Sequence, residues 1–272
     1  MVDLGEILFL VKDYALALAF TQPRILAMFV VIPIFNRAIL PGMLRMAIAA
    51  AFGVVAAPML LPHVSPLQVD AIAIVGIVVK EAMIGFVLGM LVAVPFWAFE
   101  GIGFLIDNQR GASIAATLNP LTGNDSSPMG ILFNQAFIVF FFVSGAFNLM
   151  LELLYHSFSL WNVFTWTPHL KPETMPVLIE QVMRLVKLAL LLASPALVAM
   201  FLAELGLALV SRFVPNLQVF FMAMPIKSAL AVLVLMIYMA TLFEYATDLI
   251  APLRDVVPTL DEHWKRPPGA TR

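Results

Sequence analysis

The chain has 272 residues, 62% of them apolar and only 12% charged, with a net charge of −2. A soluble domain carries about 25% charged residues, so this chain has too few charges to cover a water-facing monomer and must face lipid or other subunits. Its charge balance offers no basic field for nucleic acid, and the lack of cysteine excludes disulfides, thiolate metal sites and Cys nucleophiles.

A spanning helix needs about 20 apolar residues, and roughly seven apolar runs can be read along the chain. The first, residues 4–20, is short and amphipathic, with Asp3, Glu6 and Asp13 on one helical face. Acids at the very start, where a cleavable leader carries Lys or Arg, argue against a signal peptide. The second run, residues 25–35, is too short to span alone and is broken at Pro33. Asn36 to Gly42 reads as a turn before the third run, residues 44–61.

The fourth run, residues 71–99, holds Lys80 and Glu81 inside it and Pro95 near its end. Ala82, Gly85, Gly89 and Ala93 recur at spacings of 3, 4 and 4, a stripe of small residues that lets another helix backbone approach closely. Glu100, Gly103, Asp107 and Arg110 follow at spacings of 3, 4 and 3. If the helix continues past Pro95 they share a face, and Asp107 can pair with Arg110 one turn on. That face reads equally as a solvated helix end with an ordinary surface pair, or as a polar network fixing the next loop against its neighbours.

Residues 116–128, ATLNPLTGNDSSP, are turn chemistry between two strongly apolar segments. They are either a plain connection or a re-entrant element that closes a pore, because irregular backbone at membrane depth is tolerated where it lines a cavity or packs on protein. The Gly, Lys and Ser/Thr order of a phosphate-binding loop is missing. The fifth run, residues 131–151, has no charge and is the cleanest membrane-length segment. Trp161 and Trp166, with Pro168, Pro172 and Pro176, suit a membrane or subunit interface.

The sixth run, residues 178–210, contains Pro195 and Glu204; the seventh, residues 217–243, contains Pro225 and Lys227. A lone ammonium inside such a run costs roughly 3 kcal/mol, so Lys227 should snorkel, pair or avoid lipid, with Glu204 and Glu244 as candidate partners. No carboxylate or His chain offers a proton relay, which favours a structural or interface role over ion transport. Arg254, Lys265, Arg266 and Arg272 place the C-terminal end in the cytoplasm by the positive-inside rule. Residues 1–258 are expected to form one helical domain, and residues 259–272 a polar, mobile tail. His63, His156, His169 and His263 are scattered, and no catalytic spacing occurs, so neither an enzyme nor a metal or cofactor site is expected. The rival functional reading is a secondary transporter with Asp107, Glu204 and Lys227 at Pro-broken helices.

Four ordered motifs carry a resemblance. Residues 80–89 (KEAMIGFVLG) are similar to a KExxIGxxxG run, and residues 103–113 (GFLIDNQRGAS) to a GxxIDxQRGxS core. Residues 120–130 (PLTGNDSSPMG) are similar to a PxxGxxSSPxG loop, and residues 212–227 to an RxxPxxxVFFxxxPxK signature. Together they span about residues 24–250 and resemble the SctT/FliR family of export-gate subunits of type III secretion systems and flagella, with wording closer to the virulence-associated SctT branch.

The resemblance implies an all-α, membrane-associated protein of kinked helical hairpins that packs into a helical hetero-oligomeric channel. It implies SctR-like and SctS-like partners, a nearby SctU-like switch protein and the inner rod or needle base, with unfolded polypeptides as the exported cargo. The location implied is the bacterial inner membrane at the base of the apparatus, largely on the periplasmic side of the membrane plane. Asn119, Pro120, Leu121, Thr122, Gly123, Asn124, Asp125, Ser126, Ser127 and Pro128 would then help plug the closed channel. Glu100, Gly103, Asp107, Gln109, Arg110 and Gly111 would anchor that loop. Lys80, Glu81, Gly85, Gly89, Glu204, Arg212, Pro215, Pro225 and Lys227 would serve helix packing or subunit interfaces, meeting protein or an aqueous lumen instead of lipid tails.

Overall fold

The computed structural model describes residues 4–36, 39–64, 71–111, 127–165, 174–213 and 219–264. Among the described residues seven α-helices run in order: α1 (Leu4–Val31), α2 (Gly42–Val64), α3 (Ala71–Arg110), α4 (Pro128–Val143), α5 (Ala146–Leu160), α6 (Thr174–Ser211) and α7 (Val219–Trp264), with a short 3-10 turn at Pro33–Phe35. No strand occurs among the described residues. Among the described residues five segments are long and apolar enough to cross a membrane, Ile7–Val31, Gly42–Val64, Ala71–Arg110, Val186–Ser211 and Met222–Thr247, and α4 with α5, if they form one broken span, would make a sixth. The protein is an all-helical membrane protein.

Two apolar runs expected to be separate are one helix. α1 passes through Thr21, Gln22, Pro23 and Arg24 without a break. The Thr21 hydroxyl and the Gln22 amide both donate to the Leu18 carbonyl, at 2.7 and 3.3 Å. The dip in hydropathy there is a polar band inside a helix, not a boundary. The reverse correction applies to the fifth run. It is not one straight helix, because α4 ends at Val143 and Gly145 takes a left-handed φ of +77° before α5. An L side chain disfavours that conformation and glycine does not, a property that hydropathy cannot register.

Prolines within these helices remove backbone donors, and at two of them a polar side chain replaces the lost donor. Pro58 cannot donate to the Val54 carbonyl one turn back, and the Tyr14 hydroxyl donates to that oxygen at 2.9 Å. Pro195 likewise leaves the Leu191 carbonyl free, and the Ser194 hydroxyl takes it at 2.7 Å. In apolar surroundings an orphaned carbonyl is costly.

The chain forms two compact units, one made of Met1–Ala93, Gly145–Leu178 and Ala251–Arg272, the other of Val94–Ser144 and Ile179–Ile250. It crosses between them four times, each crossing within two residues of Pro95, Gly145, Pro176 or Pro252. In the first unit α1 packs on α2, where Phe29 stacks on Phe35 at 3.7 Å and meets Phe52 edge-on at 5.7 Å. α1 also meets the small-residue stripe of α3. A methyl group on Gly85 would strike the backbone carbonyl of Arg24, and one on Gly89 would lie 3.0 Å from the Met28 carbonyl. Backbones this close require glycine.

The second unit has an aromatic core. Phe133, Phe137 and Phe141 recur every fourth residue on α4 and are fully or almost fully buried. Phe137 meets Phe96 at 4.8 Å and Phe99 at 4.6 Å on α3. Phe243 of α7 closes the cluster against Phe99 and Phe140. Edge and tilted ring pairs of this kind contribute about 0.5–1.5 kcal/mol beyond area burial.

The glycine contact gives a first prediction. Gly85→Ala must push α1 and α3 apart and should cost about 1–3 kcal/mol. It should lower the thermal midpoint of the solubilised protein. Gly42→Ala, where an added methyl meets nothing within 4 Å, is the matched control. Equal midpoints for the two variants would refute the close approach.

Candidate functional site

An arginine lies at the centre of the first unit. Arg24 projects from the middle of α1 and is fully buried, as is Glu81 on α3. Its Nε donates to Glu81 Oε2 at 2.7 Å, one terminal nitrogen to the Ser157 hydroxyl at 3.0 Å, and the other to the Trp161 carbonyl at 3.0 Å. The guanidinium also lies 4.3 Å from the Phe158 ring centre. Lys80 approaches the second oxygen of Glu81 at 3.0 Å as a charge contact. Its ammonium donates to the carbonyls of Asn162, Val163 and Thr165 at 3.3, 2.5 and 2.9 Å.

The charges in this cluster do not cancel: two cations share one carboxylate. The excess positive charge is directed at carbonyls just past the C-terminus of α5, the negative end of that helix dipole. Arg24 and Lys80 thus tie three stretches together: the middle of α1, the first half of α3 and the chain leaving α5. The sequence singled out Lys80 and Glu81 but missed Arg24 and Ser157. The signal was present, since an arginine inside apolar sequence needs a partner by the same argument that flagged Lys227.

The second unit has its own polar clasp, at the end of α3. Asp107, nearly buried, pairs with Arg110 at 2.7 Å, the expected i,i+3 contact. Its other oxygen accepts from the Ser127 hydroxyl at 2.6 Å and from the Met129 backbone N–H at 2.9 Å. The Ser127 hydroxyl in turn accepts from the Gly130 N–H at 2.9 Å, capping α4, with Pro128 in the first turn. A negative carboxylate at a helix N-terminus is also favoured by the helix dipole.

Gly103 makes this clasp possible, because a methyl there would strike the Met129 and Gly130 backbone. Glu100 accepts from the Asn134 side chain at 2.9 Å, one turn further along the same face. The spacing of Glu100, Gly103, Asp107 and Arg110 is therefore a helix–helix seam and not a bare solvated face. Gly111 ends α3 with a φ of +84°.

A third polar group joins α6 to α7. Lys227 pairs with Glu204 at 3.2 Å, one of its two candidate partners, and Gln109 reaches the same oxygen at 3.4 Å. Lys227 is almost buried, whereas the Glu204 side chain is half exposed. Arg212 lies exposed in the turn after α6, and Pro225 is exposed on α7. Residues 119–126 of the expected plug, and Pro215, lie outside the described residues; Ser127 and Pro128 are the members of that loop that are placed.

Removing one partner of the buried pair separates its two roles. Arg24→Met strands Glu81 without its principal counter-ion and should cost about 3–5 kcal/mol. Arg24→Met combined with Glu81→Leu should recover most of the loss, read as the midpoint of denaturant unfolding in detergent. A double variant as unstable as the single one would show that the charge pairing is not what the core depends on.

The chain is similar in sequence to a set of bacterial proteins. Residues 15–253 match the family described as bacterial export proteins, family 1. Yop proteins translocation protein T of Yersinia pestis is 38% identical over 247 residues, covering 88% of this chain and 94% of that protein. Surface presentation of antigens protein SpaR of Salmonella typhimurium is 32% identical, covering 86% and 85%. Flagellar biosynthetic protein FliR of Bacillus subtilis is 29% identical, covering 81% and 85%. The polar and glycine positions described above, from Arg24 to Lys227, all fall inside the matched region. The chain therefore belongs to the bacterial export proteins, family 1, on the SctT side of the SctT/FliR division, and is an α-helical membrane component of protein export.

Proposed function

We propose that the chain is a non-enzymatic core subunit of a type III secretion export gate in the bacterial inner membrane. It lends helices to the wall of a protein-conducting channel and residues 119–128 to its closure, so that unfolded substrates pass only when the gate opens. SctR-like and SctS-like subunits complete the wall, and a SctU-like protein and the inner rod or needle base lie next to it. In the assembled gate the chain sits largely on the periplasmic side of the membrane plane. Residues 259–264, expected in the polar tail, continue α7, and the polar sequence after them serves as the tail.

One observation carries the closure. Asp107 binds Ser127 and Met129 directly, so one carboxylate joins the end of α3 to the start of α4, the two helix ends that flank residues 112–126 in sequence. Gly103 and Gly111 serve the same seam, one by allowing contact and the other by ending α3. A segment pinned at both ends has fewer conformations to lose on sealing a pore than a free one. Gln109, Glu204 and Lys227 brace the opposite side of the same helix end.

Native mass spectrometry of the chain, expressed alone and with SctR-like and SctS-like subunits from the same cell, tests assembly. A discrete hetero-oligomer with this chain as the minority component is expected. A monodisperse chain that ignores those subunits would sink the gate reading, and solute flux through the chain alone would point to a transporter. Closure is tested separately. Replacing residues 119–126 by Gly/Ser sequence should leave assembly intact and make cells leak small ions. A mutant that assembles and stays tight would count against the plug.

A further inference from the structure

α5 presents a different surface from the other helices. Six of them expose large apolar side chains, for example Leu8 on α1, Met43 on α2, Ile72 on α3, Val143 on α4, Leu202 on α6 and Ile237 on α7, and α5 exposes none. Its outward residues are instead Asn148, Glu152 and Ser159. At about 100° per residue, these three fall within about 40° of one another around the helix axis. The buried set, Ala146, Met150, Leu153, Leu154, Ser157 and Phe158, is centred on the opposite side. That inner face is held in place, because Arg24 donates to the Ser157 hydroxyl and to the Trp161 carbonyl at the end of the helix. The Ser159 hydroxyl donates to the His156 carbonyl at 2.7 Å. The polarity of the outer face therefore rests on Asn148 and Glu152, whose side chains have no protein partner among the described residues. α4, just before it, exposes Ile131, Leu132, Val139, Phe142 and Val143, so the surface changes from apolar to polar across Gly145.

We infer that the Asn148–Glu152–Ser159 face of α5 borders water in the working protein, and that residues 128–160 are therefore not a sixth membrane span. Three surroundings are open to an outward helix face: lipid, another protein and water. Lipid leaves the Glu152 carboxylate and the Asn148 amide without a hydrogen-bond partner, which is costly. The buried core of a protein interface is depleted in Glu and Ser, and here no large apolar side chain on the outer face offsets their desolvation. Water satisfies both groups without that cost. With 15 residues α5 is also about 22 Å long, short of the roughly 30 Å of a bilayer core. Neither a depth in the bilayer nor a partner subunit enters into this assignment. In a chain whose other helices turn apolar surface outward, α5 marks where the aqueous phase reaches the folded protein.

The chain has no cysteine, so a single introduced thiol reports its own surroundings. Glu152→Cys and Asn148→Cys place that thiol on the outer face of α5. Val139→Cys, at a position 64% exposed on α4, is the apolar control. A charged, membrane-impermeant maleimide reacts with the thiolate, and apolar surroundings raise the pKa of a thiol. In native membranes opened so that the reagent reaches both sides, the two α5 thiols should be labelled at least ~10-fold faster than the α4 thiol, the difference that a rise of about one pKa unit alone produces. Labelling of the denatured chain, where all three thiols react alike, gives the amount present. Slow labelling of either α5 thiol, or an α4 thiol as fast as they are, would overturn the inference. The comparison is made on the chain alone and on the chain with SctR-like and SctS-like subunits. α5 thiols that are fast alone but protected in a hetero-oligomer would refute the aqueous face and leave the gate reading standing. If no hetero-oligomer forms and the α5 thiols are still fast, the gate reading falls and the aqueous face remains.

Discussion

Everything in the first unit is arranged around the need to keep Arg24 satisfied. A guanidinium with no exposure to solvent must have its donors met by protein, and its partners come from residues 57, 133 and 137 positions away in sequence. Meeting that demand fixes α3 and the end of α5 against the middle of α1. The backbone of the same residue sets the contact distance, since its carbonyl occupies the space that a side chain at position 85 would need. Side chain and main chain of one residue thus specify both which helices meet and how closely. Hydrophobic packing alone would not do this, because apolar helix faces slide over one another at little cost.

The second unit solves the same problem with different means. Its aromatic seam between α3 and α4 supplies area, and the polar clasp at Asp107 supplies register. The carboxylate serves Arg110, Ser127 and Met129 at once, so a shift of α4 by one residue would break several contacts together. In both units a small number of buried polar groups converts a generic apolar association into one arrangement. The energetic balance of such groups is modest when they are complete and strongly unfavourable when one member is missing.

Much of this was legible in the sequence, and the failures have physical causes. The spacing of Gly85 and Gly89 announced a close helix contact, and the spacing of Glu100, Gly103, Asp107 and Arg110 announced a shared face, because helical periodicity maps directly onto neighbours on a surface. That Lys227 needs a partner followed from the cost of a lone charge, while the choice of Glu204 over Glu244 did not. Helix continuity was less visible. Hydropathy fell at Thr21–Arg24, where the helix runs on with its hydroxyl and amide side chains folded back onto the Leu18 carbonyl and Arg24 paired inside the protein, and stayed high at Ser144–Gly145, where the backbone turns. Apolarity measures what a segment faces, not the dihedral angles it adopts. Arg24 went unassigned because its partners lie far along the chain, and no local pattern names a long-range partner.

The distance in sequence between Arg24 and Glu81 bears on how the protein is made. During synthesis α1 emerges before α3 and carries an arginine into apolar surroundings, while its counter-ion is still 57 residues from being added. Alone, α1 is a poor resident of the bilayer. It must wait at the insertion site, or at the interface with its charge towards water, until α3 arrives. Release into lipid is thereby coupled to the pairing of the first and third helices, and the order of translation becomes a condition for the native contact.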